Sequence, residues 1–240
     1  MSGAAIQCLD VRFNRGGTDF AFDFSAETSD ILAVMGPSGS GKSTLLDLIA
    51  GFERPQQGSI LIGGTDVTKL SPAKRPVSMV FQENNLFGHL DVFSNVGLGR
   101  SPSLKLTAED EADIHEAIER VGLKGKDKRL PPSLSGGERQ RVALARVLVR
   151  DRPALLLDEP FASLGPALRG EMLSLVRDLH TERGMTILMA THHPDDAEQL
   201  GQRMLYLEDG AIAAQGEAAV FFGPDAPAAF RRYVGSERRR

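Results

Sequence analysis

One nine-residue run can hold phosphate. Gly36-Pro37-Ser38-Gly39-Ser40-Gly41-Lys42-Ser43-Thr44 matches the pattern G-x-x-x-x-G-K-[ST]. Glycines at this spacing let backbone N–H groups curl inward around an anion without Cβ interference. The run follows the apolar stretch Ile31–Met35 and precedes a helical pattern, so a helix N-terminus adds free donors and a favourable dipole. Lys42 has the reach to touch β- and γ-phosphates, and the Ser43 hydroxyl suits Mg²⁺. The reading is nucleotide binding.

A second group of residues supplies what hydrolysis of a bound nucleotide needs. In ALLLDEP (154–160) Asp158 and Glu159 stand at the end of a buried strand. Asp158 can hold Mg²⁺, directly or through water, and Glu159 can take a proton from an attacking water. His192 follows the apolar run TILMA and can hydrogen-bond a γ-phosphate, and on sequence grounds the adjacent His193 competes for that role. Gln82 follows another strand and offers a neutral amide for Mg²⁺ or water. Each also has a plain reading, as a capping acid, a solvated amide or a structural imidazole. The phosphate loop upstream is what favours the chemical one.

These residues must be positioned by an α/β core. Alternation at Ile6–Phe13 and Phe20–Phe24 around Gly16-Gly17 predicts an antiparallel pair. Short apolar runs at Ile31–Met35, Val77–Phe81, Ala154–Leu157 and Thr186–Ala190 predict buried strands, with Ser59–Ile62 a further one. Helices are expected from Thr44 to Ala50, from Pro166 with the stripe Leu168, Met172, Leu175, Val176 and Leu179, and over Asp195–Leu200. Asp209-Gly210 predicts a hairpin between Arg203–Leu207 and Ala211–Ala214. Residues 83–149 read instead as loop, helix, loop, helix. Thr107 with Asp110 opens one helix, closed by Gly122, and Ser135 with Glu138 opens the other, running to about Val149. Short loops between strands and helices argue for a mainly parallel sheet, with ligands at the carboxyl ends of its strands.

The run LSGGERQ (134–140) resembles the signature of the ATP-binding subunits of ABC transporters, and the other motifs stand in that family's order. The resemblance covers nearly the whole chain. It implies an α/β P-loop NTPase fold with a RecA-like parallel-sheet core at 1–82 and 150–240. To this it adds an N-terminal antiparallel β portion and an inserted helical signature subdomain at 83–149. It implies ATP and Mg²⁺, with Phe13 stacked on adenine, residues 36–44 on the phosphates, and Ser43, Gln82 and Asp158 toward the metal. Glu159 is implied as the catalytic glutamate and His192, rather than His193, as the histidine on the γ-phosphate. It further implies a head-to-tail homodimer, in which Ser135, Gly136 and Gly137 of one subunit clamp the nucleotide of the other. Ser135 caps a helix whose first turn offers free N–H groups, a second anion site. One departure stands out: Gly165 occupies the position where the family carries an aspartate.

Within the family, RPVSMVFQENNLFGHL (75–90) and DEPFASLGPALRGEML (158–173) are similar to the subunits that drive bacterial thiamine import. The similarity implies an integral membrane permease, a periplasmic solute-binding protein, and a peripheral place on the cytoplasmic face of the inner membrane. The cargo is inferred from whole-sequence likeness alone. Importers of iron, sulfate or polyamines, or a soluble nucleotide-binding protein of low turnover, are the alternatives. Leu86, Phe87 and Leu90 follow Gln82 in a loop; exposed apolar groups there would mark an interface, and by resemblance this is where the permease docks.

Composition narrows the classes. With 28 basic and 32 acidic residues among 240, no broad positive field is present and a dedicated nucleic-acid binder is disfavoured. Cys8 is the single cysteine, which rules out an intrachain disulfide and a cysteine zinc cluster. The start of the chain shows no secretory signal, and the apolar runs fall far short of the roughly 20 residues of a membrane span. The end, Arg238-Arg239-Arg240, reads as a solvated charged tail.

Overall fold

The strands expected from the sequence all form, and all join one sheet. The structure is a computed structural model that describes residues 3–83 and 85–237; the arginine tail lies outside the described residues. The chain opens with β1 (Ile6–Arg15) and β2 (Thr18–Ala26), a hairpin that pairs Phe13 with Phe20 and Val11 with Phe22. Gly16 and Gly17 take φ of 60° and 86°, the left-handed pair that a two-residue hairpin turn requires. Next come β3 (Ile31–Met35), α1 (Lys42–Ala50), β4 (Gln57–Ile62), the short β5 (Thr65–Asp66) and β6 (Val77–Val80). The helical insert contains α2 (Val92–Gly97), α3 (Ala108–Arg120) and α4 (Gly136–Arg150). Thr107–Asp110 and Ser135–Glu138 are both reciprocal capping boxes. The remainder is β7 (Ala154–Asp158), α5 (Pro166–Arg183), β8 (Thr186–Ala190), α6 (Pro194–Leu200), β9 (Arg203–Glu208), β10 (Ala211–Glu217), α7 (Ala218–Phe221) and α8 (Ala228–Glu237).

The strand order is β5-β4-β1-β2-β10-β9-β3-β8-β7-β6. The five strands from β9 to β6 run parallel, and β5, β4, β1 and β2 form the antiparallel extension. Every residue of β3 and β8 is buried, as strands covered on both faces must be. Alternation divides the core. Leu155 and Leu157 face the cluster that contains α4, α5 and the interior of the insert, whereas Ala154 and Leu156 face the cluster that contains α1 and the antiparallel strands. So α1 and α4 lie on opposite faces of the parallel sheet.

Four elements were not read from the sequence, the two-residue β5 among them. The helix α2 is six residues long, capped by Asp91, and too short for a periodic signal. The helices α7 and α8 close a third cluster, with Phe221, Phe230 and Tyr233 packed on Met35, Met204 and Tyr206. Arg75 is also unanticipated: it is 0% exposed and donates to the carbonyls of Leu48 (2.6 Å), Ile49 (2.8 Å), Thr68 (3.0 Å) and Leu70 (3.2 Å). A cation at the carboxyl end of α1 complements the helix dipole. The approach is so close that a Cβ on Gly51, whose φ is 88°, would lie 2.5 Å from Arg75 Nε.

Candidate nucleotide site

The loop between β3 and α1 has the shape of an anion cradle. Gly36, Gly39 and Gly41 have φ of 154°, 80° and 104°. A Cβ on Gly36 would lie 2.3 Å from the Leu207 carbonyl oxygen, and one on Gly41 would lie 2.8 Å from the Phe20 ring. The helix begins at Lys42. That side chain is 6% exposed and folds back over the loop, where Nζ donates to the carbonyls of Gly36 (2.8 Å) and Pro37 (3.0 Å). Burial pulls the Lys42 pKa below the usual lysine value, and the nearby Glu159 and Asp158 oppose that shift. Ser40 Oγ is buried without a hydrogen-bond partner, while Pro37, Ser38 and Gly39 are exposed at the loop's tip and Thr44 is half-buried.

The sheet register brings the acidic pair to this loop. Val34 is level with Ala190, and Ala190 with Asp158, across adjacent parallel strands. Ser43 Oγ donates to Asp158 Oδ1 at 3.0 Å. Burial raises the Asp158 pKa, and the Ser43 hydrogen bond pulls it back. Glu159 leaves the strand with φ of 43°, a left-handed conformation that is costly outside glycine and that often marks functional sites. Its N–H is held by the Ala190 carbonyl at 3.0 Å. The turn sends one carboxylate oxygen to within 3.7 Å of Lys42 Nζ, and the other accepts from His192 Nδ1 at 2.9 Å. A carboxylate can only accept, so Nδ1 of His192 carries the proton of this hydrogen bond.

The two histidines, equivalent on sequence grounds, diverge here. His193 instead places its Nε2 3.1 Å from Arg169 Nη2. Gln82 sits two residues beyond Val80, which is level with Leu157, and its side chain is exposed at the same edge of the sheet. Ser135 caps α4: its Oγ accepts from Glu138 N–H at 3.3 Å, and Glu138 Oε2 accepts from Ser135 N–H at 2.7 Å. Gly137 has a packing reason, since a Cβ there would lie 2.4 Å from Leu168. Gly136 has none, with no neighbour nearer than 4.0 Å.

Phe13 stands on the antiparallel part of the sheet. It is 7% exposed, with its ring 6.3 Å from Phe20 in the core beneath the antiparallel strands. Its position on β1 alternates with Val11, and together with Phe20, Asn14, Gln56 and Gly210 it lines an open surface cleft beside the phosphate loop's end of the hairpin. The segment after Gln82 also divides. Leu86 packs on the insert's core, Leu90 is half-buried, and Phe87 is 49% exposed. Asn95 pins this loop, accepting from Phe87 N–H (2.9 Å) and donating to the Phe87 and Leu90 carbonyls.

The residues fit a magnesium nucleotide. Ser43 and Asp158 present paired hard oxygens beside the glycine cradle, and Mg²⁺ needs few protein ligands when phosphate and water supply the rest. Among the described residues no group of three or more His, Cys, Asp or Glu is arranged to hold a metal by itself. Also among the described residues, no helix is long and apolar enough to cross a membrane.

The chain is similar to known proteins over most of its length. The family model described as ABC transporter matches residues 21–162. The chain is 61% identical over 234 residues, 98% of its length and 92% of the relative's, to the thiamine import ATP-binding protein ThiQ of Mesorhizobium japonicum. Among solved structures, an ATP-binding cassette of an ABC transporter in its ADP conformation superimposes with a TM-score of 0.84 at 23% identity, covering 98% of this chain and 99% of the other. An ATP-binding cassette solved as a dimer in a post-hydrolysis state with ADP and phosphate gives 0.77 at 27% identity, covering 89% and 98%. With phosphate loop, acidic pair and capped signature helix in one sheet framework, the chain belongs to the ABC transporter family, as an ATP-hydrolysing subunit.

Proposed function

We propose that this chain drives thiamine import. The supporting observation is its 61% identity, over nearly the full length of both chains, to a thiamine import ATP-binding protein. The vitamin itself would pass through a membrane permease after delivery by a periplasmic binding protein, and this chain would sit on the permease's cytoplasmic side at the inner membrane.

In the proposed reaction the phosphates of ATP lie in the loop 36–44, with Lys42 turned from its own carbonyls toward the γ-phosphate. Ser43 and Asp158 would hold Mg²⁺, with Gln82 at its edge; the ion neutralises developing charge on the phosphates. A γ-phosphate arriving between Lys42 and His192 competes with Glu159 for both groups. The displaced carboxylate is then available to take the proton of the water that attacks the γ-phosphorus as the bond to ADP breaks.

The opposite-face placement of α1 and α4 supports a pair of chains. Ser135, Gly136 and Gly137 then approach the nucleotide of the second copy, head to tail; a similar cassette has been solved as a dimer.

Uptake of radiolabelled thiamine by a thiamine auxotroph tests the reading. Deletion of this chain should abolish uptake at nanomolar vitamin, and the intact chain, but not its Glu159→Gln variant, should restore it. Undiminished uptake in the deletion strain refutes the proposal.

A further inference from the structure

Arg169 occupies the first turn of α5, where its backbone N–H donates to the Gly165 carbonyl at 2.9 Å. Its guanidinium joins the segments that follow the paired strands β7 and β8, beyond the last rung between them. Nη2 faces the carbonyls of Phe161 (3.2 Å) and Ala162 (3.4 Å), in the tight turn immediately after Glu159. The same nitrogen lies 3.1 Å from Nε2 of His193, next to His192. A guanidinium can only donate, so His193 Nε2 accepts and its ring is neutral, with the proton on Nδ1.

A second contact stands just short of closure. Arg169 Nε and Asp196 Oδ1 are 3.9 Å apart, both are buried, and neither has a hydrogen-bond partner. A charge-assisted hydrogen bond needs an approach about 1 Å closer. The other Asp196 oxygen accepts from Thr191 Oγ1 at 3.2 Å, and Thr191 N–H donates to Val34 at 3.0 Å. Asp196 is therefore anchored to β3, the strand that ends in the phosphate loop. Packing does not demand the guanidinium here, because the buried face of α5 is apolar, with Met172, Leu173, Val176 and Leu179.

We propose that Arg169 is a positioning residue for hydrolysis, clamping the turn after Glu159 to the loop that carries His192, with Asp196 as the clamp's anchor. The inference rests on the roles given above to Glu159 and His192. Arg169 acts through these two residues and sets the angle at which the carboxylate and the imidazole meet.

The experiment is steady-state and single-turnover ATP hydrolysis by the full chain. Arg169→Met keeps the stem and removes the donors. It should lower kcat about tenfold or more, since a misplacement of about 1 Å costs up to 10²-fold, while KM for ATP and ATP affinity stay within about twofold. Arg169→Lys supplies one point donor in place of a fork and should fall between the two. Arg169→Met with Asp196→Asn should be no slower than Arg169→Met alone, because both act through one contact. A parental kcat in Arg169→Met, a raised KM at unchanged kcat, or additive losses in the double variant would overturn the proposal. If Arg169→Met does not fold by thermal melt, Arg169→Lys decides, and a parental kcat there overturns it equally. Glu159→Gln, assayed in parallel, separates the two readings. Activity retained there sinks the assignment of Glu159, whereas loss there with activity retained in Arg169→Met sinks the clamp alone.

Discussion

The Lys42 ammonium and the Glu159 carboxylate lie 3.7 Å apart, and the second oxygen of that carboxylate is taken by His192 at 2.9 Å. The general-base candidate is thus held by the two groups best placed to bind a γ-phosphate. Glu159→Gln removes the proton acceptor and weakens this competition. Hydrolysis should fall by roughly 10²-fold or more, with ATP affinity unchanged or tighter. Lys42→Ala should do the reverse to binding, weakening ATP in calorimetry and abolishing turnover. A Glu159→Gln protein that hydrolyses at the parental rate in a single turnover would remove Glu159 from the mechanism.

Gly165 is the N-cap of α5 with φ of −66° and ψ of 160°, and a Cβ there meets nothing within 4 Å. Any residue can adopt this backbone, so the strain that would argue against aspartate is absent. Gly165→Asp should stabilise the chain by about 0.5–1 kcal/mol, from a side-chain cap and a less free unfolded chain. It should also raise ATPase activity a few-fold if the loop's stiffness limits alignment. Thermal melting and the turnover rate measured with the permease check the two parts separately. An unchanged rate in a stabilised protein shows that the reaction does not miss the carboxylate.

Glu138 links the signature helix to its surroundings. The Lys126 ammonium and the Ser135 N–H hold its pKa at about 2, against 4.5 for the free side chain. A depressed carboxylate pKa stabilises the fold above pH 4.5, and that contribution is lost as pH falls through about 2. Glu138→Gln should cost about 1 kcal/mol at pH 7, and urea melts from pH 7 to pH 2.5 should show the gap shrinking toward the acid end. A gap independent of pH would assign the loss to packing.

Phe87 projects into solvent from a loop already pinned by Asn95. Phe87→Ser should therefore change stability by no more than about 0.5 kcal/mol. Co-purification with the permease should nevertheless drop. Full assembly of the variant would move the contact elsewhere, and unfolding would return Phe87 to the core.

The parts legible in the sequence were those with local signals. The loop 36–44, the acidic pair, both capping boxes and each buried strand announce themselves through spacing or periodicity. What stayed hidden depends on approach between distant segments. Nothing local distinguishes His192 from His193; the structure separates them because Glu159 turns toward one and Arg169 toward the other. Nothing in the sequence marks Arg75 as buried; the carbonyls of Leu48 and Ile49 at the end of α1 converge on it from a distant segment. Phe13 alternates with Val11 along β1, a pattern shared by core aromatics and those that line a cleft, as Phe13 and Phe20 do together.

The alignment of Val34, Ala190 and Asp158 across three parallel strands has a consequence for how this chain can vary. The reactive groups stand at fixed counts from paired backbone positions, so the count of residues matters more than their identity. Exchanging one apolar side chain for another within β7 leaves Asp158 where it is. Deleting a single residue there would turn Leu155 and Leu157 toward the α1 side and carry Asp158 away from Ser43, because a strand's faces invert with every step. Insertions and deletions should accordingly collect in connections such as that between α2 and α3, and spare the strands that end at the phosphate loop.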